Sequence, residues 1–372
     1  MISAQLRDAA MIVDLKALKH NIKQQQAALP AGSRILAVVK ADAYGHGAVP
    51  VAHAAKEAGV DGFCVAMLDE GLELRNAGID QLMLVLGLTP VHYAPVAALN
   101  DISLTVGSVN WLKEYAELAK NESLPPLKVH LALDTGMGRI GFRDVAELKQ
   151  ALALVNQPAF VFEGLFTHFA TADAADDTYF KQQLGRWHEF LAAVDQKPPY
   201  VHMANSAVGM WHRETIAANT VRMGISMYGC NPSGHELPDS LDLQPVASIV
   251  AKTTFVKYLQ AGESISYGAT YTAQNDEWVA TLPIGYADGY LRRMQGFKVL
   301  VADQECDILG RICMDQMMIR LPESMPIGTE VVLMGSSKGK TLSATDLADH
   351  AHTINYEILT SITPRLMRRY KN

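Results

Sequence analysis

The sequence predicts an α/β fold, a (β/α)8 TIM-like barrel followed by a mostly β C-terminal domain. Through the first two-thirds of the chain, short apolar runs alternate with helical stretches, at a spacing typical of a barrel of about 250 residues. After the Pro/Gly/Ser-rich residues 231–234, short apolar runs separated by turn residues replace that alternation. We therefore predict a barrel domain at residues 1–235 and a mostly β domain at residues 236–372.

Each predicted barrel strand is a short apolar run. The run at residues 35–39 is continuous and rich in β-branched side chains, which is typical of a parallel strand buried on both faces. A doubly wound open sheet is the alternative fold, but such sheets usually contain fewer strands. The eight predicted strands are residues 35–39, 62–66, 82–86, 102–106, 129–133, 164–168, 200–204 and 221–227.

Amphipathic stretches lie between these runs, and turn residues separate the later ones. Leu15, Leu18 and Ile22 share one face of a predicted helix, because they lie three and seven positions apart. The basic residues within 365–371 are predicted to form a solvated tail. The strands predicted in the second domain are residues 247–254, 278–283, 298–301, 306–309, 317–321 and 330–334.

The composition argues against several classes of function. The 372 residues include 32 Lys and Arg against 39 Asp and Glu, and this net charge of −7 disfavours general affinity for nucleic acids or anionic membranes. The four cysteines form no Cys-x-x-Cys pair, so we predict no metal site and a reducing, cytoplasmic location. The apolar run near residues 82–88 is far shorter than the ~20 residues of a membrane span.

Lys40 directly follows the first predicted barrel strand. In parallel α/β proteins, ligands bind at the carboxyl ends of the strands. An amine held there and partly withdrawn from water has a lowered pKa and can form a Schiff base with a carbonyl group. The alternative is a lysine that only extends its amine from a strand end into water.

Polar residues also follow later strands. Arg139 ends the segment DTGMGR at residues 134–139, whose two glycines let the guanidinium approach a carboxylate; a surface arginine is the alternative. His168 ends the sixth strand, a position that suits either a core histidine or a catalytic one.

The ends of strands seven and eight predict a phosphate site. Ser206 follows Asn205 and is a good N-cap for a helix, whose free N–H groups bind anions. Gly224, two residues after Arg222, permits close approach of a ligand to the backbone. A phosphate site that faces a lysine suggests a phosphorylated aldehyde cofactor, pyridoxal 5'-phosphate.

Eight segments of the chain resemble those of bacterial alanine racemases, in order and across both predicted domains. They are AVVKADAYGHG (37–47), DTGMGR (134–139), HMANS (202–206), RMG (222–224), SYGAT (266–270), IGYADG (284–289), GRICMD (310–315) and TINYE (353–357). The resemblance implies a homodimeric, fold-type III pyridoxal-phosphate enzyme in which each active site is completed by the partner subunit.

The resemblance also implies roles for individual residues. Lys40 would carry the cofactor as a Schiff base and act as one base, and Tyr267 of the partner subunit would act as the base on the opposite face. Arg222 would face the pyridine nitrogen, with His168 behind it. The cofactor-binding residues would be Lys40, Tyr44, His168, Asn205, Ser206, Arg222, Gly224, Ile225 and Tyr356. The substrate would contact Arg139, the Met314 backbone N–H and Tyr286, and Asp173, Arg292 and Arg311 would line the access corridor.

One position departs from the family pattern. Many members have a lysine, modified to a carbamate, two residues before the Asp-Thr-Gly sequence, where it braces the carboxylate-binding arginine. This chain has Ala132 there. We therefore expect Arg139 to be braced differently, and a bound chloride is one candidate.

The function implied by the resemblance is interconversion of L-alanine and D-alanine, with D-alanine supplied to peptidoglycan. Racemisation removes a proton from one face of a carbanion and returns it to the other, so two bases must flank the substrate. The alternatives are a racemase for serine or for a broader set of amino acids, a decarboxylase, and a non-catalytic pyridoxal-phosphate-binding protein. Carboxylate binding by Arg139 disfavours a decarboxylase, and a full second domain carrying Tyr267 disfavours the non-catalytic protein.

Overall fold

Eight parallel strands close into a barrel in the computed structural model, which describes residues 3–216 and 219–372. The chain begins with strand β1 (Ala9–Asp14) and helix α1 (Leu15–Ala28). Strands β2 and β9 pair to close the barrel, which confirms the predicted α/β barrel. The barrel strands are β2 (Arg34–Val38), β3 (Gly62–Val65), β4 (Leu82–Leu88), β5 (Ser103–Val106), β6 (Leu127–Ala132), β7 (Phe160–Phe166), β8 (Tyr200–Ala204) and β9 (Thr220–Met223).

Helices connect the barrel strands. They are α2 (Ala48–Glu57), α3 (Leu68–Asn76), α4 (Ala94–Leu99), α5 (Val109–Glu122), α6 (Val145–Val155), α7 (Thr178–Ala192) and α8 (Ser206–Trp211). Helix α1 begins at a side-chain cap, because Asp14 Oδ1 accepts the backbone N–H groups of Lys16 and Ala17. No helix within residues 3–216 and 219–372 is long and apolar enough to cross a membrane.

Two barrel strands, β7 and β9, end two or more residues earlier than the apolar runs predicted. Strand β7 starts at Phe160 and stops at Phe166, so His168 lies beyond its end. Strand β9 stops at Met223, because Gly224 adopts φ −106° and ψ −109°, outside the extended region. A 3-10 turn at Ile225–Tyr228 follows.

The second sheet is mostly antiparallel, which confirms the predicted mostly β domain. Its strand order is β11-β14-β17-β16-β15-β18-β10-β1-β20, with β19 paired to β18, and β12 and β13 form a separate pair. Helices α9 (Ala344–His350) and α10 (Asn355–Ser361) precede the last strand. The strands are β10 (Ala247–Lys252), β11 (Phe255–Leu259), β12 (Ser264–Ile265), β13 (Tyr271–Thr272), β14 (Glu277–Leu282), β15 (Lys298–Val301), β16 (Gln304–Leu309), β17 (Met317–Leu321), β18 (Glu330–Ser337), β19 (Lys340–Leu342) and β20 (Met367–Lys371).

Both ends of the chain enter this second sheet. The domain boundary at residue 235 stays a prediction, but strand β1, which that division assigns to the barrel, pairs with β10 and β20. Met11 and Val13 are fully buried there, so the strand is held by packing as well as pairing. The prediction of a solvated tail at residues 365–371 is wrong, because β20 pairs in parallel with β1. Backbone pairing at a sheet edge needs no apolar pattern. The strand was therefore not predicted from this charged segment.

A left-handed turn follows Lys40, where Ala41, Asp42, Ala43 and Tyr44 have φ between 52° and 54°. This conformation costs roughly 1–2 kcal/mol per residue outside glycine, so neighbouring groups must hold it. The Glu70 carboxylate accepts the Ala41 N–H at 2.7 Å.

Side chains from the rest of the fold complete this support. Asp42 Oδ1 accepts the Ala48 N–H at 2.7 Å. From strand β20, the Arg368 guanidinium donates to the Gly45 carbonyl at 2.9 Å, and the Tyr370 hydroxyl donates to the His46 carbonyl at 3.2 Å. The second sheet therefore helps to position the turn that directly follows Lys40.

His46 makes the stability of this turn depend on pH. Its ring is fully buried, and its Nδ1 lies 2.9 and 3.0 Å from the carbonyl oxygens of Ala43 and Tyr44, so Nδ1 carries the proton. Nε2 is buried without a hydrogen-bond partner. Burial lowers the pKa of His46 to about 4, against 6.5 in an exposed histidine.

We predict that the folded state loses about 3 kcal/mol of stability from this group as pH falls from 6.5 to 4. The folded pKa lies below the unfolded one, so the unfolded state binds more protons in this window, and the contribution is complete only above pH 6.5. Urea unfolding of wild type and His46→Gln across this range measures it, since the variant should lose that part of the pH dependence. Replacement of the exposed His53 by Gln is the control; an equal change in both variants would contradict the prediction.

Candidate active site

A cavity of about 710 Å³ lies at the carboxyl ends of the barrel strands. It brings together residues from both halves of the chain. Among residues 3–216 and 219–372, no group of three or more His, Cys, Asp or Glu side chains is arranged to hold a metal ion. Of the residues identified from sequence, those lining the cavity are Lys40, Tyr44, Arg139, His168, Asp173, Asn205, Ser206, Arg222, Gly224, Ile225 and Tyr356.

The Lys40 side chain enters this cavity from the left-handed turn that follows β2. Burial lowers the pKa of the Lys40 amine, the positive charges of Arg139 and Arg222 lower it further, and Glu70 opposes them. A larger fraction of this amine is neutral at a given pH than for an exposed lysine. The neutral amine is the form that attacks carbonyl carbon and accepts protons.

Arg222 lies on β9 with 4% of its surface exposed. Each of its two terminal nitrogens donates two hydrogen bonds within the protein. Nη1 donates to the Nδ1 and carbonyl oxygen of His202 at 2.8 and 3.0 Å. Nη2 donates to the Thr167 carbonyl at 2.8 Å and to His168 Nδ1 at 3.1 Å. A guanidinium has five N–H donors, so the Nε–H is the donor left for a ligand in the cavity.

His168 is neutral in this environment. Burial and then the charges of Arg222, Arg139 and Lys40 lower the pKa of His168 to about 3. Its Nδ1 accepts from Arg222, so its proton lies on Nε2. This histidine is therefore a partner of the arginine and not a base near neutral pH.

Tyr44, Ser206 and Gly224 form a polar cradle in the wall of the cavity. The Ser206 hydroxyl oxygen accepts the Gly224 N–H at 3.0 Å, and a Cβ at Gly224 would lie 3.0 Å from the Tyr44 hydroxyl. Tyr356 joins from helix α10, with its ring centroid 6.0 Å from that of Tyr44. Burial raises the pKa of both phenols, which keeps them as neutral O–H donors. These donors fit a phosphate group, while the Arg222 Nε–H and Lys40 fit the ring and aldehyde of pyridoxal phosphate.

Asn205 caps the helix that follows it, so the sequence prediction of Ser206 as the N-cap is wrong. Asn205 Oδ1 accepts the Val208 N–H at 3.0 Å, so Asn205 is the N-cap of α8 and Ser206 is its first residue. Asn205 lies in extended backbone, whereas Ser206 already lies in the helix, which leaves the Ser206 hydroxyl to the cradle.

Arg139 lies in a loop that is held by its neighbours. Asp134 Oδ1 accepts the backbone N–H groups of Gly136 and Gly138 at 3.1 and 2.9 Å. The buried Gln183 on α7 donates to the Thr135 hydroxyl at 3.3 Å and to the His168 carbonyl at 3.1 Å. Arg139 itself is exposed.

Gln183 and Glu70 are two site-positioning residues that sequence reasoning missed. Each is one of several polar residues within an amphipathic helix, so no spacing distinguishes it from surface residues. Ala132 is 1% exposed, and the bracing of Arg139 by chloride stays a hypothesis.

The remaining predicted residues lie on loops of the second sheet and do not line this cavity. Tyr267 is 70% exposed and, with Met314, lines a separate depression of about 620 Å³. The Tyr286 N–H donates to the Cys313 carbonyl at 3.1 Å, next to Met314, and the Ser266 hydroxyl donates to the Arg311 carbonyl at 2.7 Å. Arg292 is exposed in a 3-10 turn. Within one chain, the structure does not bring Tyr267 to the cavity that holds Lys40.

Comparison with known proteins places both parts of the chain in one family. The model of the N-terminal domain of alanine racemase matches residues 13–232, and that of the C-terminal domain matches residues 246–370. The chain is 63% identical over 371 residues to an alanine racemase of Limosilactobacillus fermentum, with 100% of both chains covered.

Solved structures agree. An alanine racemase from E. faecalis is similar to this chain, with a TM-score of 0.98 and 44% sequence identity. A histidine racemase from Leuconostoc mesenteroides subsp. sake is also similar, with a TM-score of 0.94 and 36% sequence identity. Each comparison covers 100% of both chains. From the matched domains and this full-length similarity, the chain belongs to the alanine racemase family, a family of pyridoxal-phosphate-dependent isomerases.

Proposed function

We propose that this enzyme interconverts L-alanine and D-alanine in the cytoplasm and supplies D-alanine for peptidoglycan. The observation that carries the proposal is the Lys40 amine, whose pKa is lowered, in one cavity with the Tyr44–Ser206–Gly224 cradle. When bound, pyridoxal phosphate supplies an electron-withdrawing ring that acidifies the Cα–H bond of an attached amino acid. The chain's own residues would bind this group, orient the amino acid and move its proton.

The cofactor-binding residues divide by the part they would hold. The hydroxyls of Tyr44, Ser206 and Tyr356 and the backbone at Gly224 and Ile225 would bind the phosphate, with Asn205 capping the helix beneath it. The Arg222 Nε–H would donate to the ring nitrogen, and His168 would hold the guanidinium from behind. Burial lowers the pKa of Arg222 to about 10, so at neutral pH the arginine keeps its proton and would leave the ring nitrogen of a bound cofactor unprotonated.

Two bases on opposite faces would move the proton. Lys40 would serve one face, and the partner subunit's Tyr267 would serve the other in a homodimer with shared sites. The exposure of Tyr267 supports this arrangement, because a base that is 70% exposed in one chain needs a second chain to enclose it. Met314, which shares the depression with Tyr267, would present its backbone N–H to the same site.

The substrate would be held by its carboxylate. Arg139 lines the cavity and would bind this group together with the partner subunit's Met314 N–H. Tyr286 would contact the substrate, and Asp173, Arg292 and Arg311 would line the corridor. Burial raises the pKa of Asp173, the corridor residue that lies in the cavity wall.

The direct test of the proposed function is incubation with L-alanine in heavy water. Loss of the α-hydrogen with matching formation of D-alanine would establish racemisation. L-serine and L-histidine tested in parallel would measure substrate breadth. Faster turnover of either than of alanine would overturn the assignment of alanine as substrate.

We predict that Tyr267→Ala lowers kcat/KM for racemisation by roughly 10²-fold or more, because a positioned base contributes about that factor. L-alanine and D-alanine have equal free energies, so net racemisation must slow equally in both directions. Exchange of the α-hydrogen for deuterium is free of this constraint. It should persist for the enantiomer that presents its hydrogen to Lys40 and disappear for the other; equal persistence for both would remove the two-base mechanism.

Arg139→Lys should raise the KM for alanine, because a point charge replaces a planar fork that matches a carboxylate. We expect an increase of roughly tenfold or more, with a smaller change in kcat. Steady-state kinetics measure it, and replacement of the exposed Arg143, four residues further along, by Lys is the matched control. An unchanged KM in Arg139→Lys would exclude this arginine from the carboxylate site.

Mixing two inactive variants tests the shared site. Lys40→Ala and Tyr267→Ala chains, unfolded and refolded together, should recover about one quarter of wild-type activity, because half the dimers then carry one intact site of two. Each variant refolded alone should recover nothing further. Absence of recovery from a mixture that sizing shows to be dimeric would place both bases in one chain.

A further inference from the structure

A chain of buried polar side chains crosses the barrel interior from Arg222 to Glu163. Arg222 Nη1 lies 2.8 Å from His202 Nδ1, His202 Nε2 lies 2.8 Å from His130 Nδ1, and His130 Nε2 lies 3.0 Å from Glu163 Oε2. The four residues come from β9, β8, β6 and β7. Both histidines are fully buried, and among the four only Arg222 lines the active-site cavity.

The hydrogen bonds that link Arg222, His202, His130 and Glu163, here called the relay, can run in one direction only. A guanidinium can only donate, so His202 Nδ1 must accept and the neutral ring carries its proton on Nε2. That proton is donated to His130 Nδ1, which places the His130 proton on Nε2 as well. The last donation reaches the Glu163 carboxylate, an obligate acceptor when ionised.

The opposite tautomers do not fit. A proton on His202 Nδ1 would face an N–H of Arg222 at 2.8 Å, with no acceptor between them. A doubly protonated His202 has the same conflict, and burial together with Arg222 lowers the pKa of His202 well below its usual value. The two imidazoles are therefore neutral and aligned in one sense.

The surroundings favour a charged carboxylate at the far end. Burial by itself would raise the pKa of Glu163, but the neighbouring groups together, with the His130 hydrogen bond foremost, outweigh it and the pKa is lowered. Lys128 Nζ lies 3.9 Å from its other oxygen. Gly164 makes room for the His130 ring, because a Cβ there would lie 2.1 Å from His130 Nδ1.

We infer that Glu163 is a positioning residue for the racemase reaction, acting on Arg222 through His130 and His202. The four acceptors that Arg222 contacts are all neutral, two carbonyl oxygens and two imidazole nitrogens. Glu163 supplies the negative end of the chain and accepts the last hydrogen bond of the tautomers that Arg222 requires, which would hold the guanidinium with its Nε–H free for the cofactor's ring nitrogen. This role rests on the proposed function, whereas the direction of the hydrogen bonds does not.

Neutron diffraction from deuterium-exchanged crystals of the cofactor-loaded enzyme tests the direction, because it locates hydrogen isotopes that ordinary X-ray data do not show. We expect deuterium on Nε2 of both His130 and His202 and none on either Nδ1. Deuterium on Nδ1 of either ring would overturn the inference. This result stands even if the enzyme prefers an amino acid other than alanine.

Glu163→Gln tests the role, since it keeps the shape and removes the charge. We expect kcat for alanine to fall about tenfold with KM changed less than twofold, a typical cost for losing an outer partner of a site. The visible absorption band of the bound cofactor should also shift, because the donor to its ring nitrogen moves.

Two controls separate this role from a general loss of structure. Ser103→Ala removes another hydrogen bond to the same carboxylate, and Lys128→Met removes the nearby ion pair, but both leave the relay intact. Both should keep kcat and the absorption band, with thermal unfolding confirming that all three variants fold. Equal losses in Glu163→Gln and Ser103→Ala, or a wild-type spectrum in Glu163→Gln, would overturn the role. If Glu163→Gln does not fold, the neutron measurement on wild type decides.

Discussion

A buried positive charge at one end of the barrel constrains the rest of the active site. Arg222 is almost fully enclosed, so each of its terminal N–H groups needs an acceptor. Two of the four acceptors are imidazole nitrogens, which forces His168 and His202 to be neutral. Burial lowers the pKa of the Lys40 amine, and the charges of Arg139 and then Arg222 lower it further. The neutral state of His168 and His202 and the direction of the buried hydrogen bonds are thus consequences of one enclosed guanidinium.

The lysine depends on a second constraint, the left-handed turn that follows it. Four consecutive non-glycine residues in that conformation are unfavourable by themselves, and contacts from distant parts of the chain hold them. Glu70 binds the start of the turn, and Arg368 and Tyr370 bind its end. The last strand of the second sheet thereby supports the site of the barrel, which explains why a charged C-terminal segment is ordered.

Much of the site follows from position along the chain. Lys40, Ser206 and Gly224 could be identified because apolar runs mark the strands, and residues just beyond strand ends meet at one rim. The strands at residues 9–14 and 367–371 could not be identified from the sequence, since they pair with each other across the whole length of the chain. Gln183 and Glu163 were not predicted for a related reason, because each contacts a partner that is distant in sequence.

The barrel, the mostly β second domain, the family and the candidate residues could all be predicted from sequence patterns, because apolar periodicity and motif order are local properties. Which of these candidates meet in space depends on how the chain folds. The tertiary structure gathered Lys40, Arg222 and Tyr356 into one cavity and left Tyr267 exposed elsewhere. It also decided the protonation of the buried histidines, because pKa and tautomer depend on burial and on the partner's donors, neither of which a sequence pattern records.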